Sequence, residues 1–193
     1  MKALESRVST VNPEFNLDDR TLTTRCKQQD SSAQEVLYNR FVNAMMRICL
    51  RYMKDESEAE DAMITGFVKV FSKIDSFEYR GTGSLEGWVK RVMINECLMA
   101  LRKRKMEKVD LDKFTNLLPD QTNHDSNLNA EAIFEAVQRL PRGYRTVFNL
   151  YAIEGYTHKE IGIKLGINEN TSKSQLSKAR SSLQKTLLKL GML

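Results

Sequence analysis

The run LGINENTSKSQLSKARSSLQ, Leu165 to Gln184, concentrates short hydrogen-bonding side chains and cations. At helical spacing Asn170, Ser174, Ser177, Lys178 and Ser181 share one face, flanked by Thr171 and Gln175. Leu176, Ala179 and Leu183 share the opposite face, with Ser172 at its start. Hydroxyl, amide and ammonium groups are the donors and acceptors that read base edges in a DNA major groove. No acid occurs from Asn170 to the C-terminus, while Lys173, Lys178, Arg180, Lys185 and Lys189 do. A merely solvated helix usually carries interspersed Glu–Lys pairs, whereas a face of one sign suits approaching phosphates.

A second concentration runs from Phe77 to Lys108. Phe77, Tyr79 and Trp88 lie among Arg80, Lys90, Arg91 and the RKRK run at 102–105. Rings that stack bases beside cations that follow a backbone suit single-stranded nucleic acid. Plain packing competes residue by residue. Trp88 sits on an apolar stripe, Phe77 can anchor a loop, and RKRK suits the negative end of a helix dipole.

Catalytic chemistry finds no support. There is no GxSxG, P-loop or HExxH. Glu58, Glu60 and Asp61 cluster, but the first two suit helix-start roles. Cys26, Cys49 and Cys97 are far apart, and His124 and His158 are isolated. Neither a zinc site nor any cofactor is expected, and the thiols read as reduced and cytosolic. The N-terminus lacks the apolar core of a signal peptide, and no apolar run approaches membrane-spanning length. The net charge of +5 over 193 residues allows a polyanion partner without demanding one.

Helices must position these groups, because helical spacing recurs along the chain and strand-like alternation is scarce. Residues 1–29 are polar and irregular and read as a flexible arm. Asp30 offers an N-cap for a helix with the stripe Val36, Leu37, Phe41, Met45, Ile48, Cys49, Tyr52. Ser57 to Glu60 reads as a capping box for the next, with Ala59, Met63, Phe67, Val70, Phe71 and Ile74 inward. Ser84 can cap a third, with the stripe Leu85, Trp88, Val92, Leu98, Leu101. Residues 107–129 bring aspartates, Pro119 and asparagines and lose apolar periodicity, which predicts an acidic linker. Its average reach at ~20 residues would be near ~25 Å. In the last third, one helix stops at Pro141 and a second ends near Gly155. Thr157 to Glu160 is a capping box, Gly166 permits a left-handed turn, and Asn168 caps the quoted run. Gly162, costly inside a helix, predicts close approach of a second element. Together these predict an all-α chain of two small helical domains, 30–106 and 130–193. A flexible linker joins them, and the second is a helix-turn-helix.

In this order, the motifs resemble bacterial RNA polymerase sigma factors of the extracytoplasmic function (ECF) group. The resemblance rests on LYNRF (37–41), RYMKDESEAEDA (51–62), GFVKVF (66–71), GSLEGWVKRVMINECLMALRKRK (83–105) and the run from Leu140 to Arg180. It implies a cytoplasmic, non-enzymatic initiation factor of bacteria. Its region 2 would dock on the polymerase clamp and capture the melted −10 element. Its region 4 would read the −35 duplex and touch the polymerase flap. Core RNA polymerase, promoter DNA and an anti-sigma factor are the implied partners, with no membrane insertion.

By resemblance and wheel position, Lys173, Ser174, Ser177 and Lys178 should meet −35 base edges. Thr157, Lys159, Thr171 and Arg180 are the phosphate candidates. The loop Phe77–Ser84, with Tyr79 and Arg80, would form a pocket for an extruded −10 base, and Trp88 and Asn95 match the family motif beside Lys90 and Arg91. Asp61, Ile64, Thr65 and Lys69 fall at polymerase contacts, where Ile64 and Thr65 replace the usual polar Gln and acid. Ser172 stands where an aliphatic residue is common and Gly162 where alanine is usual, so a less stable DNA-binding unit is expected. The alternatives are a polymerase-independent helix-turn-helix regulator and a helical adaptor that binds no DNA. The region-2-like half argues against both.

Overall fold

The computed structural model describes residues 17–109 and 128–192. Among these there is no strand, in line with the all-α expectation. The first half holds α1 (Asp19–Lys27), α2 (Ser31–Tyr52), α3 (Glu56–Lys73) with a 3-10 turn at Ile74–Ser76, and α4 (Ser84–Val109). The second half holds α5 (Leu128–Gln138), α6 (Arg142–Phe148), α7 (His158–Leu165) and α8 (Glu169–Lys189).

α2 forms as its pattern predicts. The Asp30 carboxylate accepts from the Ser32 and Ala33 amides, and the whole predicted stripe from Val36 to Tyr52 is buried. α3 buries Ala59, Met63, Phe67 and Val70, but its cap is Asp55, which accepts from the Glu58 amide. The expected box at Ser57 is therefore corrected: the helix starts earlier, on a carboxylate that satisfies the same kind of orphan amide. α4 buries Leu85, Val89, Met93, Ile94, Cys97, Leu98 and Leu101, which leaves Trp88 and Val92 half-buried at the edge. All three cysteines are free and buried, and burial pushes the Cys26 thiol up to about 11.

α1 departs from the sequence reading, which left it inside the arm. Leu22 and Cys26 are fully buried in the first-half core, and Asp18 caps the helix through the Arg20 and Thr21 amides. Arg40 of α2 ties it down, with Nη1 3.1 Å from Asp19 Oδ1 and Nη2 donating to the Leu17 carbonyl. Nine residues with two apolar anchors are too short to show a period. Residues 1–16 of the expected arm and 110–127 of the expected linker lie outside the described residues.

In the second half, α6 runs into one π-helical turn, Asn149–Ile153, before Gly155. Such single π turns are uncommon insertions that re-aim the chain. α7 then opens with the predicted capping box of Thr157 and Glu160 and ends on Gly166 at φ 63°. The Gly162 expectation is sharpened. A Cβ there would sit 2.8 Å from the Ile167 carbonyl oxygen, so the close neighbour is the turn backbone. Ala136, Val137 and Leu140 pack against Ala179 and Leu183. Val147, Leu150, Ile161 and Leu176 join the apolar core of the first half, so the two halves are docked.

Candidate nucleic-acid interface

The α7–turn–α8 unit sets the first candidate surface. Ser172, Leu176, Ala179 and Leu183 are buried as a seam along α8. Lys173, Ser174, Ser177 and Lys178 are all exposed on the other side. Lys173 Nζ lies 2.7 Å from Glu169 Oε1, one turn earlier. That pair holds the Glu169 carboxyl below its ordinary range. The acid just upstream of Asn170 thus places a Glu–Lys pair on a face read from sequence as all-cationic. Ser174 Oγ donates to the Thr171 carbonyl at 3.0 Å.

The phosphate candidates divide. Lys159 and Thr171 are exposed. Thr157 is also exposed, but its hydroxyl accepts from the Glu160 amide and meets the Glu160 carboxylate at 2.8 Å. Arg180 is exposed, with its guanidinium 5.6 Å above the Tyr151 ring. A stack of this kind fixes a long side chain without neutralising it.

The second surface lies around the loop before α4. Ser84 opens the helix; its hydroxyl donates to the Gly81 carbonyl at 2.6 Å and accepts from the Arg80 amide at 3.2 Å. Lys27 of α1 donates to the Phe77 carbonyl at 2.7 Å. Phe77 itself is buried, tilted against Trp88 with centroids 5.2 Å apart, so it supports the loop floor from below. Tyr79, Arg80, Arg91 and Asn95 are exposed, with Arg80 3.2 Å from Glu78. Lys90 is engaged by Glu154 of the second half. Of the RKRK run, Arg102 and Lys103 are exposed; the side chains of Arg104 and Lys105 lie outside the described residues. Lys69, Lys73, Asn95 and Arg102 line a cleft of ≈ 360 Å³ together with Lys164 of α7.

The family follows from comparison with known proteins. The family model for sigma-70 region 2 matches residues 37–107, and that for sigma-70 region 4 matches residues 130–183. The chain belongs to the sigma-70 family, in its extracytoplasmic function group. The ECF RNA polymerase sigma factor SigE of Mycolicibacterium smegmatis is 30% identical over 160 residues, 79% of this chain. This chain spans 61% of that relative's length. The ECF RNA polymerase sigma-E factor of Haemophilus influenzae is 24% identical over 87% of this chain and 94% of its own. Among solved structures, the sigma factor RpoE of Bartonella quintana, in complex with the anti-sigma factor NepR, shares the fold at TM-score 0.54. It is 24% identical and covers 79% of this chain and 95% of its own.

This sigma factor is therefore a transcription initiation factor, and the polymerase-independent alternative is not favoured. On its α3 face Asp61, Ile64 and Thr65 are exposed, Ile64 by 56%. Lys69 is bound to Glu96 at 2.7 Å, with the carboxylate buried. That ion pair, the Glu154 contacts and the His158–Ser172 bond escape sequence reading. Each joins residues far apart in the chain, and none carries a local spacing signal.

Proposed function

We propose that this sigma factor directs core RNA polymerase to its promoters through two separate readers. The C-terminal unit, α5–α8, reads the −35 duplex and meets the polymerase flap. The N-terminal unit, α1–α4, docks on the clamp and captures the melted −10 strand. The observation that carries this is the two-sided α8, with a buried apolar seam and an exposed row of Lys173, Ser174, Ser177 and Lys178. In a helix-turn-helix such a row faces the major groove. Lysine donates to guanine O6 and N7, and serine hydroxyls serve either base type. Lys159, Thr171, Arg180 and the α7 N-terminus at Thr157 fix orientation on the phosphates.

At the −10 element, Tyr79, Arg80 and Ser84 rim the base pocket, and the tilted ring pair of Phe77 and Trp88 supports it. Lys90, Arg91 and Asn95 follow the strand. Extruding a base costs a few kcal/mol, offset by stacking and edge hydrogen bonds. Asp61, Ile64 and Thr65 meet the clamp, and Lys69 shapes that face through Glu96. The protein works in the bacterial cytoplasm, performs no chemistry itself and is held in check by an anti-sigma factor. No described helix is long and apolar enough to cross a membrane.

The test is transcription by core RNA polymerase from a library of randomised promoters, with and without this protein. Added protein should enrich start sites that share one element near −35 and one near −10. Exchange of the Phe77–Ser84 loop for that of another ECF factor should change only the −10 preference. Tight duplex binding by the free protein with no enriched starts would favour the polymerase-independent regulator.

A further inference from the structure

Arg145 of α6 is a buried cation without a carboxylate partner. It is 3% exposed. Nη1 donates to the Gln138 carbonyl at 2.9 Å and reaches that of Leu140 at 3.5 Å, and Nη2 donates to the Tyr52 carbonyl at 3.0 Å. Nε has no hydrogen-bond partner, and no Asp or Glu forms an ion pair with the guanidinium, among the described residues. Carbonyls satisfy hydrogen bonds but bring no net charge. Burial, with Arg142 nearby, brings Arg145 down to about 10, so it keeps its proton at neutral pH. A buried charge is ordinarily paired, because its lost hydration is costly.

Beside Arg145 opens a pocket of ≈ 220 Å³, walled by the end of α2, the start of α3, α4 and α6. Lys54, Arg142 and Arg145 line it against one acid, Glu58, with Met53 and Leu101 as its apolar wall. Three cations against one carboxylate leave an excess of two positive charges. Lys54 is exposed, while Arg142 and Glu58 are half-buried. The pocket therefore runs from a wet mouth to a buried cation.

Two guanidinium groups and an ammonium suit a tetrahedral oxyanion. Glu58 narrows the choice. The hydrogen phosphate dianion retains one O–H, which a carboxylate can accept. Sulfate carries the same charge but has no O–H, so it meets Glu58 only as repulsion.

We propose that this pocket binds inorganic phosphate as the hydrogen phosphate dianion. Arg145, Arg142 and Lys54 supply the counter-charge, and Glu58 accepts the O–H. The ligand gives the buried guanidinium the anion that three carbonyls do not. The site goes beyond promoter reading: none of its four charged residues lies on the α8 row or in the Phe77–Ser84 loop.

The test uses the full chain in phosphate-free buffer at constant ionic strength. Calorimetric titration with inorganic phosphate should show one site with a Kd at or below ~1 mM. Phosphate at ten times that Kd should raise the melting temperature by roughly 3–6 °C, and chloride should not. Lys54→Ala and Arg142→Ala should each weaken phosphate about ten-fold. Lys189→Ala, which removes the same charge from the C-terminal end of α8, should leave it unchanged. Sulfate should bind at least about ten-fold more weakly than phosphate, and Glu58→Gln should close that gap. Plain removal of a repelling charge would raise both anions alike and keep their ratio. Arg145→Gln should abolish binding where circular dichroism shows it folded; if it does not fold, the Lys54, Arg142 and Glu58 variants decide. Absence of saturation by ~10 mM phosphate, or unchanged affinity in the Lys54→Ala, Arg142→Ala double variant, overturns the site. Equal affinity for sulfate and phosphate in the wild type, or tighter binding of AMP than of inorganic phosphate, overturns the choice of ligand.

Discussion

His158 Nδ1 lies 2.9 Å from Ser172 Oγ, which joins the first turn of α7 to the buried face of α8 across the helix-turn-helix. The imidazole is also stacked on Tyr151, with centroids 4.5 Å apart. Ser172 stands where an aliphatic residue is common in the family, and from sequence this reads as a weakness. The structure gives the buried hydroxyl a partner, so the substitution is offset by a bond between the two helices that must keep their angle on DNA. Ser172→Ala should lower the stability of the chain by about 1 kcal/mol. A double-mutant cycle with His158→Phe, read by urea denaturation, should give a coupling of about 0.5–1.5 kcal/mol. Zero coupling would mean that the bond contributes nothing.

Two glycines inside helices should respond in opposite directions to alanine. A Cβ at Gly162 would sit 2.8 Å from the Ile167 carbonyl oxygen, a backbone atom that cannot rotate away. The turn must shift, so Gly162→Ala should destabilise despite alanine's better helix propensity and should weaken −35 duplex binding. Gly87, exposed in α4, has nothing within 4 Å of its Cβ position. Gly87→Ala should stabilise by about 0.5–1 kcal/mol. Thermal melts of both variants check this; a stabilising Gly162→Ala would refute the steric argument.

The contrast shows what could be read from sequence. Long apolar periods such as Val36 to Tyr52 predict α2 down to its buried residues, because a 22-residue helix repeats its pattern many times. Caps were legible where one side chain does the work, as at Asp30 and Thr157. They misled at Ser57, because Asp55 nearby offers an equivalent oxygen. α1 was too short to show a period. The exposed row on α8 was legible because a helix converts spacing directly into a face. The grip of Gln138, Asn149, Arg145 and Glu154 on α2 was not. Gln138, Arg145 and Asn149 reach residues about 90 positions away through backbone carbonyls, which carry no sequence signal.

Acid stability should depend on the cap of α2. The Asp30 carboxylate is held down to about 2 by the Ser32 hydroxyl and by Arg25, whose Nε lies 2.7 Å away. Its folded value is therefore below the ordinary aspartate value of 3.8. A lowered folded pKa gives stability that is present above the unfolded value and lost as pH falls through the folded one. The loss belongs between about pH 4 and pH 2. Asp30→Asn should flatten the pH dependence of stability in that window, and carbon-detected NMR should place the Asp30 midpoint near its lower edge. A midpoint at the ordinary aspartate value would contradict the geometry.

The two lysines of the α8 row should behave differently, because only one is already paired. Lys173 is held by Glu169 at 2.7 Å, whereas Lys178 is exposed and forms no ion pair among the described residues. Lys178→Ala should therefore lower −35-dependent transcription and relax preference at one base pair, a loss of about 1–3 kcal/mol in discrimination. Lys173→Ala should cost less, because its free state gives up the Glu169 contact on meeting DNA. Glu169→Gln should do the reverse and tighten duplex binding, since it releases Lys173 and removes an acid from the approaching phosphates. The log–log salt dependence of binding should then steepen by up to about one phosphate equivalent, ~0.9 in slope. Fluorescence anisotropy with promoter duplexes selected from the randomised library, across a salt series, measures all three variants together. If Lys178→Ala lowers affinity equally for every sequence, Lys178 is a phosphate contact and base reading passes to Ser174 and Ser177.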